Sequence, residues 1–159
     1  MARTESYKSK TGVAIQVNGF DSLLKKIQKA GGDIEQATWD AARAGGRVYY
    51  NILVEECKRS GVPENLINKI RFNCLRESNG NRYAVVVGWY MDNYDPANPS
   101  DGYKVVFLNY GTPRRETSKG YDRGYIDGRG FIGRAKKKAH KPIKAAQQEF
   151  LNKLLGGLI

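Results

Sequence analysis

One histidine and two cysteines carry all the imidazole and thiol chemistry of this 159-residue chain. His140 sits among Lys136, Lys137, Lys138 and Lys141 on a predicted helix, with no cysteine or carboxylate at the spacing of a catalytic dyad. Cys57 and Cys74 are too few for a disulfide framework or a zinc cluster. One lies near a predicted helix end and the other in a predicted strand, so both are expected as free, largely buried thiols. The acids Glu55-Glu56 and Asp92/Asp95 lack a convincing second half and read as surface charges rather than an acid/base pair. Gly128-Arg129-Gly130 is glycine-rich but does not directly follow a strand, which makes a poor phosphate cradle. A nuclease would need a metal-bound carboxylate cluster, and these spacings supply none. The expectation is a protein that is not an enzyme, with no catalytic residue, cofactor or metal.

Basic residues carry the stronger signal. Residues 113–144 hold Arg114, Arg115, Lys119, Arg123, Arg129, Arg134, Lys136, Lys137, Lys138, Lys141 and Lys144 against Glu116, Asp122 and Asp127, or 11 − 3 = +8. The whole chain carries 27 − 16 = +11, so this segment holds most of the excess. A charge of that size argues for an anionic partner such as nucleic acid, not for a particular fold. Tyr121 and Tyr125 are interleaved with the arginines. Arginine with tyrosine suits a phosphate or single-strand surface, a protein–protein contact, or a solvated loop and helix face.

These residues need a scaffold. The length implies one domain, able to bury roughly 68–70% of its unfolded surface without a disulfide or metal. Residues 1–12 read as a flexible polar arm without the apolar core of a secretory signal, and residues 13–159 as a single α+β domain. No run of apolar residues is long enough for a transmembrane helix, so no membrane partner is expected and the cytoplasm of the producing cell is the default compartment. Val13, Ile15 and Val17 alternate as a short edge strand, and Asn18-Gly19 makes a turn. Asp21 or Ser22 can cap a short helix carrying Leu23, Leu24 and Ile27, ended by Gly31-Gly32.

Asp33 with Gln36 resembles a capping box and opens a longer helix, whose stripe is Ile34, Ala37, Ala41, Gly45, Val48, Ile52 and Cys57. Ser60-Gly61 and Pro63 end it, and a short turn, Glu64–Asn68, follows. The small residues Ala37, Ala41 and Gly45 predict close packing of this helix on a sheet, and the small-residue face and the sheet edges are candidates for contacts between copies of the chain. Ile70–Leu75 alternates as a strand, Ser78-Asn79-Gly80-Asn81 is a hairpin turn, and Tyr83–Trp89 is a central strand. Asp92–Gly102 reads as a loop and Tyr103–Tyr110 as the next strand, running into Gly111-Thr112. Residues 113–130 read as a long exposed loop. The last helix carries Ile132, Ala135, Ala139, Ile143, Ala146, Phe150, Leu154 and Leu158, with a kink or break expected near His140 because of Pro142.

The motif Phe107-Leu108-Asn109-Tyr110-Gly111-Thr112 and the motif Phe131-Ile132-Gly133-Arg134-Ala135 together resemble the head–tail joining (tail-completion) proteins of long-tailed double-stranded DNA bacteriophages. Earlier segments fall in the same order: Val17-Asn18-Gly19-Phe20 with Leu23-Leu24, the small-residue helix, Asn65-Leu66 with Ile70, and Val85–Gly88. The resemblance covers roughly residues 13–155; it departs at Asn109, where the family is usually acidic, and at Gly130, where it has proline. Tyr110, Gly111, Thr112, Phe131 and Ala135 are the motif residues. The resemblance implies a small antiparallel sheet flanked by a long helix from the N-terminal half and a C-terminal helix. It implies a virion protein of the neck, made in the host bacterial cytoplasm. Such subunits form a ring, commonly hexameric, between head connector or adaptor proteins and tail tube or tail terminator proteins, with genomic DNA passing through the lumen. Arg114, Arg115, Tyr121, Arg123 and Tyr125 are the expected partner contacts, on a loop that projects from the subunit. The alternative from the residues alone is a free basic nucleic-acid-binding protein.

Overall fold

Asp33 begins the longest N-terminal element as its spacing predicts. Its side chain accepts hydrogen bonds from the N–H groups of Glu35 (2.8 Å) and Gln36 (3.2 Å), satisfying two donors that a helix start leaves free. The Gln36 side chain does not reach back to close a capping box; it donates to Asp40 instead. The computed structural model describes residues 11–76, 83–89 and 100–159. In chain order the elements are β1 (Val13–Gln16), α1 (Asp21–Lys29), α2 (Ile34–Arg59), α3 (Glu64–Ile67), β2 (Arg71–Arg76), β3 (Tyr83–Gly88), α4 (Asp101–Tyr110), β4 (Thr112–Glu116), β5 (Asp122–Ile126) and α5 (Phe131–Leu158). The fold is α+β, as expected: a small antiparallel sheet flanked by the long α2 and the C-terminal α5.

The sheet has the order β1-β3-β2 and both pairings are antiparallel, with Ile15 opposite Val85 and Cys74 opposite Val85 from the other side. The continuous apolar run of β3 is buried at every residue, as a central strand should be. The hairpin turn expected at Ser78–Asn81 lies outside the described residues, as do Asp92, Asp95 and most of the 92–102 loop. Thr11, assigned to the arm, is buried, and its hydroxyl donates to the Trp89 carbonyl. Helix α1 starts at Asp21 but takes no side-chain cap from Asp21 or Ser22; Phe20 occupies the cap position.

Small residues bring α2 close to its neighbours, but the partners differ in part from the expectation. Ala37 and Ala41 pack with Ile27 of α1 and Leu151 of α5, not with the sheet. A Cβ on Gly45 would meet Gln147 and Ile143 of α5 and Ile15 of β1. Gly45 thus meets the sheet at β1, as expected, and Gly46 meets its other two strands, since a Cβ there would stand 2.7 Å from Val85 Cγ1 and 2.9 Å from the Phe72 ring. The small-residue face is therefore consumed inside the subunit and is not free for a ring contact. Val48 and Ile52 are only half-buried, while Tyr49, Leu53 and Cys57 form the deep stripe.

Two expectations are overturned between residues 100 and 130. Tyr103–Tyr110 is not a strand but the body of helix α4, with Gly102, Val105 and Asn109 buried at helical spacing and Gly111 (φ +81°) ending it. A short apolar run is equally compatible with either element until its burial pattern is known. The segment after Thr112 is not a structureless loop but a β-ribbon, β4 paired antiparallel to β5. Its strands expose most of their residues on both faces, so the alternation that betrays a half-buried strand is missing. Helix α5 also runs unbroken through Pro142. Pro142 is exposed, so the carbonyl it leaves without a helical partner lies on the solvent side.

Candidate interaction site

The ribbon stands on a base made of close backbone approaches. Gly111 and Gly128 face each other: a Cβ on Gly111 would stand 2.7 Å from Gly128 N, and one on Gly128 would stand 2.7 Å from the Tyr110 carbonyl carbon. The N–H groups of Arg129 and Gly130 donate to the carbonyls of Leu108 and Asn109. Asn109 Oδ1 then accepts from the Ile132 N–H in the first turn of α5. Thr112 Oγ1 accepts from the Ile126 N–H and closes the open end of the ribbon. Beneath this base Phe131 is fully buried and meets the Trp89 ring edge-on at 6.4 Å, and the Trp89 indole N–H donates to the Leu66 carbonyl. Of the motif residues, Gly111, Thr112, Phe131 and Ala135 are therefore scaffold, whereas Tyr110 is 60% exposed beside the ribbon.

At the far end the turn Thr117–Tyr121 is held by Thr117, whose N–H donates to the Tyr121 carbonyl and whose hydroxyl accepts from the Tyr121 N–H. The five expected contact residues all lie on this ribbon and all are exposed. Arg123 and Tyr125 share one face of β5, and Tyr121, just before the strand, continues the same alternation. Tyr121 is 70% and Tyr125 61% exposed. Arg115 lies opposite Gly124, and Arg114 is committed to a salt bridge with Asp122 across the ribbon. The Arg114 guanidinium and the Gly124 N–H hold the Asp122 carboxyl below its usual range. Tyr121, Arg123 and Tyr125 thus form one presented patch, with Arg115 on the opposite face as the partner of Gly124 and Arg114 spent on internal order.

A charged latch that the sequence reading placed on the surface fastens the same base to α2. Glu56 is buried, not a surface charge: it accepts from Lys138 and, at 3.0 Å, from Arg134 Nε, with Arg59 nearby. Lys138 and Arg134 hold its carboxyl below the usual glutamate value despite the opposing effect of burial. Arg134 also donates to Ser60 Oγ and to the Arg129 carbonyl, and Arg129 donates to the carbonyls of Ser60 and Gly61 at the end of α2. The signal was present as periodicity, since Glu56 falls seven residues after Tyr49 and three after Leu53 on the deep face of α2.

Cys57 is buried, as expected, and burial pushes its thiol up to about 12. Cys74 is exposed, contrary to expectation, on β2, which among the described residues pairs on one side only. His140 is exposed on α5. Among the described residues no group of His, Cys, Asp and Glu could hold a metal ion, and no helix is long and apolar enough to cross a membrane. Compared with protein-family models, curated proteins and solved structures, the chain matches none.

Proposed function

We propose that this protein is a structural subunit of a bacteriophage neck, a ring component that joins the head connector to the tail with DNA passing through its lumen. The observation that carries this reading is the exposed β4–β5 ribbon. It spends little surface on the body of its own subunit, yet its base is rigidly pinned by Asn109, Gly111 and Gly128. A pinned ribbon presenting Tyr121, Arg123 and Tyr125 has the residue types that carry interface energy. Among the described residues β1 and β2 each pair with β3 alone, leaving strand edges of the kind that neighbouring subunits can cover. A ring of identical subunits needs two different faces that meet, and ribbon and sheet edge supply two. The resemblance rests on the order of the motifs at Tyr110-Gly111-Thr112 and Phe131 to Ala135, although Tyr110 closes helix α4 where that motif was expected to end a strand.

The test replaces the ribbon between Thr112 and Gly130 with a short Gly-Ser bridge and measures both folding and particle assembly. The expected result is a subunit that still melts cooperatively but yields unjoined heads and tails. Tailed, infectious particles at normal yield would remove the ribbon from the reading. A protein that never copurifies with particles but binds nucleic acid tightly on its own would favour a free nucleic-acid-binding protein instead.

A further inference from the structure

Between Phe131 and Gln148, α5 carries Arg134, Lys136, Lys137, Lys138, Lys141 and Lys144, and no acidic residue at all. Elsewhere the long helices place opposite charges within a turn of each other. Asp40 meets Arg43 and Glu56 meets Arg59 on α2, and Glu149 meets Lys153 on α5 just beyond the basic stretch. A face shaped only by solubility would carry the same mixture of signs. Two of the six cations, Arg134 and Lys138, are held by Glu56. Lys137, Lys141 and Lys144 fall at i, i+4 and i+7, so they share one face; all three are exposed, and none forms an ion pair among the described residues. Like charges at these spacings repel one another along the helix, and an external polyanion would relieve that repulsion.

We propose that the Lys137–Lys141–Lys144 face of α5 binds the phosphate backbone of double-stranded nucleic acid, without regard to base sequence. Lysines are mobile point charges rather than the planar forks that read bases or grip a carboxylate in two places. The face carries no Phe, Tyr or Trp, the platforms on which single strands stack; its one ring is the exposed imidazole of His140, between Lys137 and Lys144. Protein interfaces are depleted in lysine and enriched in tyrosine and arginine, which is the composition of the ribbon and not of this helix. The three lysines span about 10 Å along the axis, and a duplex carries one charge per ~1.7 Å, so each lysine can find its own phosphate. This assignment rests on the neck reading for its setting, where it names the surface turned towards the genome, but binding by the free chain tests it separately.

The experiment follows a short labelled duplex of arbitrary sequence by fluorescence anisotropy as salt is raised. Three phosphate contacts give a log–log slope of about −2.7 per chain, or roughly forty-fold weaker binding between about 50 and 200 mM salt. K137E/K141E/K144E should abolish binding while circular dichroism stays native. K137Q/K141Q/K144Q, which introduces no new charge, should flatten the slope. The ribbon variant R115A/R123A should bind like the unmodified chain. The proposal is overturned by a chain that does not bind duplex at low salt, or by helix variants that bind normally. Loss through the ribbon variant alone would overturn it as well. Tighter binding to a single strand of equal length, or displacement of the duplex by an acidic peptide at equal charge, would reassign the face to those partners. Failure to form rings with duplex binding intact would count against the neck reading and leave this one standing.

Discussion

Asn109, on the last turn of α4, accepts at its Oδ1 a 2.9 Å hydrogen bond from the backbone N–H of Ile132 in the first turn of α5. Gly130 occupies the cap position of α5 with a left-handed backbone (φ +61°) and no side chain to offer, so the cap is supplied from another helix. One amide thereby joins the two elements between which the β4–β5 ribbon leaves and returns. Asn109→Ala should lower the unfolding free energy by about 1–2 kcal/mol, read from urea denaturation, because a buried helix-terminal donor loses its partner. Asn109→Asp should lose less, since a carboxylate also accepts that bond and suits the positive end of a helix. Equal losses for the two variants would show that packing, not capping, is what Asn109 supplies.

Much of the fold was legible wherever one physical signal acted alone. Asp33 sits at a helix start because its side chain satisfies free N–H groups, and β3 is central because Ala84 to Val87 are apolar without interruption. The expectation failed where two signals coincided or neither was present. Val105 to Leu108 form an apolar run too short to separate strand from helix, and Gly111 after Tyr110 was the helix stop that could have decided it. The ribbon was invisible as structure because its pairing is backbone-made and most of its side chains face water. Its residues Tyr121, Arg123 and Tyr125 were nonetheless legible as a surface, from composition alone. Glu56 was misjudged because its partners Arg134 and Lys138 are distant in sequence, and only the packing of α5 on α2 brings them together.

The Glu56 latch makes stability depend on acid. Its folded-state carboxyl is held below the ordinary value of 4.5, chiefly by the hydrogen bond from Lys138, so the unfolded chain takes up the proton first as pH falls. The stabilisation is complete above pH 4.5 and is lost as pH drops below it towards the folded-state value. Glu56→Gln should cost about 1.5–3 kcal/mol at neutral pH, the worth of hydrogen bonds to a charged group. The gap between Glu56→Gln and the unmodified protein should close in acid. A gap that persists unchanged at low pH would mean that the carboxylate charge is not what holds α2 to α5.

Thiol chemistry should separate the two cysteines cleanly. Cys74 lies exposed on β2, while Cys57 is buried on the deep face of α2 with its thiol raised by burial. In native protein a maleimide should label Cys74 and spare Cys57, and denaturant should make both react. Mass spectrometry of the labelled peptides distinguishes them. Native labelling of Cys57 at a comparable rate would contradict the burial of the deep face of α2.

Two glycines in helices should respond to alanine with opposite signs. Glycine within a helix is normally worse than alanine by about 1 kcal/mol, because it has more backbone freedom to lose. Gly133, in the first turn of α5, has no atom within 4 Å of an added Cβ, so Gly133→Ala should gain close to that amount. At Gly46 the same methyl would press on Val85 Cγ1 at 2.7 Å, a β-branched side chain on the central strand, and on the Phe72 ring at 2.9 Å. Neither neighbour is the free end of a flexible chain, so α2 must move off the sheet. Overpacking of this kind typically costs about 1–3 kcal/mol and outweighs the gain in helix propensity. Thermal melting of the two variants checks the contrast: Gly133→Ala should melt higher than the unmodified protein and Gly46→Ala lower. If Gly46→Ala melts higher as well, the close approach of α2 to β3 is looser than the distance from Gly46 to Val85 requires.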